Sequence, residues 1–355
     1  MRKGAEWLRL EAQARELIEV LLYVDDPTGI KIAGGEEVNI ARVNEHTSLI
    51  DFELYGIREA GAVYLVRAGK TCLIDAGTRA EAKVIIRKLD AIGAFPPELL
   101  VLTHSHFDHT QGLPVLCREA RKRGREIAVL ASGRAIPHLS DQSWNEVFDD
   151  KHPYEDLIGV TPLTGGQVLD LDGLALEVID LAGHCADDIG LYDPGNKTLF
   201  VGDALGTRIQ NVVTIPPFMP PFWDPDGFRR AVDRLRRIDY ERICLAHFGP
   251  LEGDEARRFV EDAIPTYETW WNLFRRADQE GRLDDVGYLK EALIVEVGIV
   301  LPDLELSKAS MRVMLGLVNT FKRVLGQEPV QVAEVQMEAI VGWLAQGYRI
   351  CEARA

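Results

Sequence analysis

The 355-residue chain contains no long hydrophobic run. None of its apolar stretches approaches the ~20 residues that a membrane-spanning helix needs. Its first seven residues, with one arginine, one lysine and one glutamate, also lack the apolar core and the small-residue cleavage site of a signal peptide. These two absences predict a cytoplasmic protein without a membrane partner.

Cysteine is also scarce. There are five cysteines, at positions 72, 117, 185, 244 and 351, and they form no C-x-x-C pair. An odd number of widely spaced cysteines argues against a disulfide framework and fits reduced thiols.

Positive charge is in deficit, with 40 Lys and Arg against 56 Asp and Glu and a formal net charge of −16. Affinity for nucleic acids depends largely on cationic side chains that neutralise phosphates. Two local basic runs, at 118–125 and 229–237, contain apolar or acidic residues and are typical of the solvated face of a helix. The sequence therefore disfavours a nucleic acid as partner.

The order of apolar and turn residues predicts three regions. Residues 1–29 carry a helical period over 5–24, which fits packing on the core or a homodimer contact. Residues 30–254 alternate short β-rich runs with helices predicted at 79–92, 113–123 and 226–238, and the stretch from 131 to 156 is expected to be irregular. Residues 255–355 predict only helices, at 255–277, 285–300, 307–325 and 332–347, and contain no histidine.

The densest group of chemically active residues follows a β-rich run at 99–102. His104, His106, Asp108 and His109 fall within six residues. Imidazole nitrogens and carboxylate oxygens are ligands for zinc, manganese and iron. Side chains alternate along an extended chain, so His104 and His106 point the same way, while Asp108 and His109 can point elsewhere. The spacing suits two metal ions better than one.

The run from Thr103 to His109 resembles the T-H-x-H-x-D-H signature of the metallo-β-lactamase superfamily of hydrolases. Four further motifs of that family follow its order: Leu73-Ile-Asp75-Ala-Gly77, Leu181-Ala-Gly-His184, Leu199-Phe-Val-Gly-Asp203 and Leu245-Ala-His247. The resemblance covers residues from about 55 to 250 and leaves out both ends of the chain.

The resemblance implies an α/β fold, a four-layer αββα sandwich with its site along the sheet edge, here followed by an all-helical C-terminal extension. It also implies two divalent ions, with zinc expected first and iron or manganese as alternatives. His104, His106 and His184 would hold one ion, and Asp108, His109 and His247 the other. Asp203 would bridge them, and Asp75 would orient a ligand. A hydroxide shared by the two ions would then be the nucleophile.

The substrate has to be inferred from other segments. Residues 215–223 combine four prolines and three aromatic residues without a charge, as expected of a stiff apolar cover over a cleft. Packing against the C-terminal helices is the alternative. Cys185 is expected to be a small buried side chain that points away from the site. His46, His138 and His152 have no expected role.

Four functions are compatible with these residues. The first is hydrolysis of an ester-like bond, a thioester, lactone or carboxylic ester, in a small apolar or acyl substrate, as in the glyoxalase II-like and lactonase-like branches. The second is phosphodiester hydrolysis, which the acidic charge disfavours. The third is iron-dependent oxidation of a persulfide. A metal-stabilised scaffold with a partner-binding helical tail is the non-enzymatic alternative.

Overall fold

The computed structural model describes residues 30–31, 37–38, 40–54, 59–148, 153–209, 213–299, 320 and 333–354. The N-terminal helix predicted at 5–24 and almost all of a helix predicted at 307–325 lie outside these ranges, as does His152. Two short strands, β1 (Ile30–Lys31) and β2 (Glu37–Val38), pair antiparallel.

The first large sheet has seven strands in sequence order. Its strands are β3 (Ile40–Arg42), β4 (Thr47–Asp51), β5 (Ala62–Arg67), β6 (Thr71–Ile74), β7 (Leu99–Leu102), β8 (Ala128–Ser132) and β9 (Thr161–Leu163). The pairs from β3 to β6 are antiparallel and those from β6 to β9 are parallel. The carboxyl ends of β6 and β7 therefore meet at one edge.

The second sheet has the order β10-β11-β12-β13-β16-β17. Its strands are β10 (Val168–Asp170), β11 (Ala175–Asp180), β12 (Ile189–Asp193), β13 (Thr198–Gly202), β16 (Arg242–Leu245) and β17 (Leu251–Glu252), and a separate hairpin pairs β14 (Thr207–Ile209) with β15 (Val213–Ile215). β13 and β16 run parallel, so their carboxyl ends also share an edge.

Helices flank both sheets. They are α1 (Ala82–Ala91), α2 (Phe107–Thr110), α3 (Leu113–Lys122), α4 (Ala135–Ser140), α5 (Pro225–Leu235), α6 (Gly253–Gln279), α7 (Val286–Ala292) and α8 (Ala333–Glu352), with a 3₁₀ turn at Ser143–Val147 and a π turn at Leu293–Val297. The expectation that residues 131–156 are irregular throughout was wrong. α4 has six residues, less than two turns, which is too short for an apolar period to show in the sequence.

Three hydrophobic clusters separate the layers. One contains residues of both sheets, including Val66 and Val101 of the first and Val178 and Phe200 of the second. A second cluster packs α1 and α3 on the first sheet, and a third packs α5, α6 and α8 on the second. The predicted αββα sandwich with a helical extension is confirmed. The division of the chain at residue 254 stays a prediction.

Candidate metal centre

The predicted site residues come together at one edge of the sandwich. Asp75 follows β6, the run from His104 to His109 follows β7, and His184, Asp203 and His247 follow β11, β13 and β16. Each of these residues is at least largely buried, and Asp108 has the most exposed side chain, at 18%. The ends of separate strands thus supply the groups, and Asp108 is the one most accessible to solvent.

Three imidazoles form the first group of converging nitrogens. His104 Nε2 lies 3.0 Å from His106 Nδ1, and His184 Nε2 lies 2.8 Å from that same atom. Burial lowers the pKa of His104, His106 and His184 below the usual value. The three rings are therefore neutral near pH 7, and their lone pairs are available to a cation.

Asp108, His109 and His247 form the second group. His247 Nε2 lies 3.1 Å from Asp108 Oδ2, and His109 Nε2 lies 3.9 Å from Asp108 Oδ1. Asp203 Oδ2 lies 3.5 Å from His247 Nε2, 3.6 Å from His109 Nε2 and 4.0 Å from His184 Nε2. One carboxylate oxygen therefore sits between the two groups.

In the second group, neighbouring charges shift the pKa values in the direction opposite to the effect of burial. Burial raises the pKa of Asp203 and Asp108, but the neighbouring histidines outweigh it and hold both pKa values below the usual range. Burial lowers the pKa of His247, but Asp203 and Asp108 outweigh it and raise this pKa to about 9. The pKa of His109 is raised in the same way by Asp75, Asp203 and Asp108. Both carboxylates are ionised at neutral pH.

The donor atoms fit divalent metal ions. His109 Nε2 and Asp203 Oδ1 are buried and have no hydrogen-bond partner among the described residues. In most proteins nearly all buried polar atoms are hydrogen-bonded, so each unpaired atom requires a ligand or another explanation. Nitrogen and carboxylate donors without thiolate suit zinc, iron or manganese. The two groups together fit a pair of such ions that share Asp203.

The second nitrogen of each imidazole is held by a neighbour. The contacts are His104 Nδ1 to Thr103 Oγ1 (3.1 Å), His106 Nε2 to Cys185 Sγ (3.4 Å), His109 Nδ1 to Asp75 Oδ2 (2.9 Å), His184 Nδ1 to Pro217 O (2.6 Å) and His247 Nδ1 to Ala60 O (2.8 Å). Metal-binding histidines are oriented in this way, because the outer hydrogen bond fixes both the tautomer and the ring plane.

Asp75 lies behind the histidines. Its backbone φ is +65°, a left-handed conformation that aspartate tolerates better than most residues. Its carboxylate accepts hydrogen bonds from the Thr103 backbone N–H at 2.8 Å and from His109 Nδ1 at 2.9 Å. Asp75 thereby joins the ends of β6 and β7 and contacts the His109 ring, and its orienting role stays a prediction.

Two neighbours of His184 were not predicted as parts of the site. Cys185 is buried as expected, but its Sγ contacts the His106 ring, so the expectation that it points away was wrong. Asp188 accepts a hydrogen bond from the Cys185 backbone N–H at 2.5 Å, and its Oδ1 lies 3.7 Å from His104 Nδ1. The acidic pair at 187–188 directly follows the His184 motif, and this was the available signal.

The proline- and aromatic-rich segment divides between two environments. Phe218 and Trp223 are buried in the core against α6, as the packing alternative predicted. Phe222 is half-buried and stacks on His138 at 4.3 Å. His138 and the half-buried His46 belong to neither converging group.

The family model of the metallo-β-lactamase superfamily matches residues 56–247. The chain belongs to this superfamily of hydrolases. It is 30% identical over 203 residues to a hydroxyacylglutathione hydrolase from Methylobacterium sp., and this match covers 57% of the present chain and 68% of the relative. A hydroxyacylglutathione hydrolase from Ruegeria pomeroyi is 32% identical over 39% of this chain, and the match spans only 44% of that relative.

Other superfamily members match less closely. An acyl-coenzyme A thioesterase from Gallus gallus is 28% identical over 48% of this chain and 64% of its own length. Among solved structures, a variant of the metallo-β-lactamase from Cronobacter sakazakii has a TM-score of 0.51, with 18% identity over 69% of this chain and 99% of its own. This structural match supports the metallo-β-lactamase fold alone.

Proposed function

We propose that this protein is a dinuclear metal-dependent hydrolase of ester-like bonds, with acyl thioesters as the preferred substrates. The observation that carries the proposal is the position of Asp203. Its Oδ2 lies within 4.0 Å of a histidine of the first group and of two histidines of the second. A carboxylate in this position can hold two cations at once.

The seven proposed ligands are His104, His106 and His184 for one ion, Asp108, His109 and His247 for the other, and Asp203 for both. Zinc is the ion that we expect first, and iron and manganese satisfy the same donors. Two bound ions would supply a water of lowered pKa and a Lewis acid for the attacked carbonyl oxygen. Burial keeps the histidines of the first group neutral, and the neighbouring histidines keep Asp108 and Asp203 ionised. Asp75 keeps the His109 ring in place.

Aromatic rings on one side of the site support an apolar substrate. The His106 ring contacts Trp144 at 5.5 Å and Phe148 at 5.1 Å, and Phe148 contacts Trp343 of α8 at 5.3 Å. These three aromatic side chains are only partly buried. Partly exposed aromatic rings beside a reactive centre are typical of a subsite for an apolar group. An acyl chain fits this aromatic wall better than a phosphate does.

The relatives favour the same bond. The hydroxyacylglutathione hydrolases and the acyl-coenzyme A thioesterase are named for substrates whose acyl group is attached through sulfur. The net charge of −16 disfavours a long polyanion such as a nucleic acid as the substrate. Phosphodiester hydrolysis is nonetheless the alternative that the same metal centre could support, so it belongs in the test.

A substrate panel tests the proposal. Purified protein loaded in turn with zinc, iron or manganese would be assayed with acetyl-, hexanoyl- and dodecanoyl-coenzyme A, S-lactoylglutathione, a lactone and bis-(p-nitrophenyl) phosphate. We expect thioesters to be cleaved fastest and kcat/KM to rise with acyl chain length. Trp343→Ala should lower kcat/KM for the longest chain by roughly tenfold and leave acetyl-coenzyme A little changed, while Trp343→Phe keeps most of the preference.

The outcomes separate the two parts of the proposal. Faster cleavage of the phosphodiester, or no thioester cleavage with any of the three metals, would contradict the proposed reaction. Thioester cleavage without dependence on chain length would leave the reaction standing and contradict the apolar subsite.

A further inference from the structure

The C-terminal helix α8 lies against the backbone of the proline-rich segment. At Gly347, a Cβ atom would clash with the Phe218 carbonyl oxygen. It would also lie 3.1 Å from the Met219 carbonyl carbon and 3.2 Å from the Phe218 carbonyl carbon. Real Cβ atoms essentially never come so close to a carbonyl oxygen. Glycine at 347 therefore permits a contact between α8 and this segment that no other residue allows without movement.

The contacted segment also forms a hydrogen bond to one of the proposed metal ligands, His184. The carbonyl oxygen of Pro217, the residue before Phe218, accepts a hydrogen bond from His184 Nδ1 at 2.6 Å. This is the contact that fixes the tautomer and ring plane of His184. The Pro217 and Phe218 carbonyls belong to adjacent peptide units that meet at the Phe218 Cα, so a displacement of the Phe218 carbonyl by a few tenths of an ångström is passed to the Pro217 carbonyl across one residue.

Other contacts fix the same segment between two helices. The Phe218 ring is enclosed by α6, with Trp271 at 5.3 Å and Phe274 at 5.4 Å. At the far end of the segment, Arg354 Nη2, just after α8, donates a hydrogen bond to the Trp223 carbonyl oxygen at 2.7 Å. The segment cannot retreat into α6, so a side chain at 347 must displace the segment or α8.

We propose that Gly347 is a positioning residue for the metal centre: the close approach of α8 at this glycine holds the Pro217 carbonyl where it orients His184. The C-terminal helix thus supports the three-histidine group although it contributes no ligand. This inference requires metal binding by that group but does not depend on the substrate. It assigns a role to a helix that lies beyond the residues matched by the family model.

Chelator competition tests this proposal directly. The protein would be loaded with cobalt, and the two ions removed by titration with a chelator while the visible spectrum is recorded. We expect Gly347→Ala to lower the affinity for one of the two ions by roughly tenfold or more, the usual cost of disturbing an outer hydrogen bond of a ligand. The spectrum of the ion at the three-histidine group should change as well.

Gly342→Ala is the matched control. Gly342 lies in the same helix, and a Cβ there would meet nothing within 4 Å. Its metal affinities and cobalt spectrum should equal those of the parent protein. Circular dichroism and thermal unfolding of the metal-free proteins would show whether Gly347→Ala still folds. If it does not fold, Arg354→Gln serves as the second variant. It releases the segment at its other end and should lower the affinity for the same ion.

The proposal is overturned if Gly347→Ala folds and behaves as Gly342→Ala does. It is also overturned if Gly347→Ala lowers the affinity for both ions equally, because that result would indicate a general loss of structure. If Gly347→Ala does not fold, an unchanged affinity in Arg354→Gln overturns it.

Discussion

The five histidines of the metal centre differ in protonation because their neighbours differ. Burial makes the charged forms of His104, His106 and His184 unfavourable, and the carboxylates near them do not outweigh it. His109 and His247 face ionised carboxylates, which favour their charged forms. In the absence of metal, the second group therefore compensates the charge of Asp108 and Asp203 with protons.

This difference predicts how metal uptake depends on pH. With a pKa of about 9, His247 is protonated in roughly a hundredfold excess at pH 7. A metal ion entering the second group must displace this proton and that of His109, whose pKa is also raised, so its affinity should rise with pH between 7 and 9. Calorimetry in buffers of different ionisation enthalpy measures the protons released. Affinity for both ions that is constant between pH 7 and 9 would contradict the assignment.

The same pKa has a consequence for the stability of the metal-free protein. The folded-state pKa of His247 lies above the unfolded value near 6.5, so the proton stabilises the fold fully below pH 6.5. That contribution is lost as pH rises through about 9.

At the scale of elements, the loops after β6 and β7 form one unit. The Gly112 backbone N–H donates to the Gly77 carbonyl at 2.8 Å, and the Ala76 backbone N–H donates to the His109 carbonyl at 2.8 Å. These hydrogen bonds, together with the contact between Asp75 and His109, tie the start of α3 to the end of β6. The spacing between the loops leaves no room for a side chain at 112.

Gly112→Ala should therefore destabilise the protein. A Cβ at 112 would collide with the Ala76 carbonyl oxygen and lie 2.9 Å from the Ala76 carbonyl carbon. We expect a loss of about 2 kcal/mol in the free energy of unfolding, as for other overpacked sites. Gly133→Ala, whose Cβ would find its nearest neighbour at 3.6 Å, should change this free energy by less than about 0.5 kcal/mol. Urea unfolding of both variants measures the difference, and equal stabilities would refute the argument.

The sequence predicted the elements whose signals are local. The β-rich run at 99–102 forms a strand of the same bounds, β7. The Asp-Gly pair at 172–173, which is typical of a hairpin turn, joins β10 to β11. Side-chain ligands were also predictable, because histidine and aspartate in motif order carry their chemistry in the residue type. The contacts to Ala60 and Pro217 were not predictable, because a backbone carbonyl has no side-chain signature and both come from remote loops.

At the scale of the whole molecule, the C-terminal helices share a core with the second sheet. Leu199 and Leu245 of that sheet belong to the same hydrophobic cluster as Trp270 of α6 and Leu344 of α8. The sequence predicted helices after residue 254 but could not show which surface they cover, since a helical period marks an apolar face and not its partner. None of the helices in the described parts of the chain is both long and apolar enough to cross a bilayer.

The central claim is that seven residues from separate strand ends hold two metal ions through a shared Asp203. Elemental analysis of the purified, metal-supplemented protein tests it most directly. We predict close to two ions per chain in the parent and in His46→Ala, whose side chain is half-buried and outside both groups. Asp203→Asn keeps the volume but removes the shared charge, so it should retain fewer ions and lose hydrolysis. One ion or none in the parent would contradict the dinuclear site, as would two tightly held ions in Asp203→Asn.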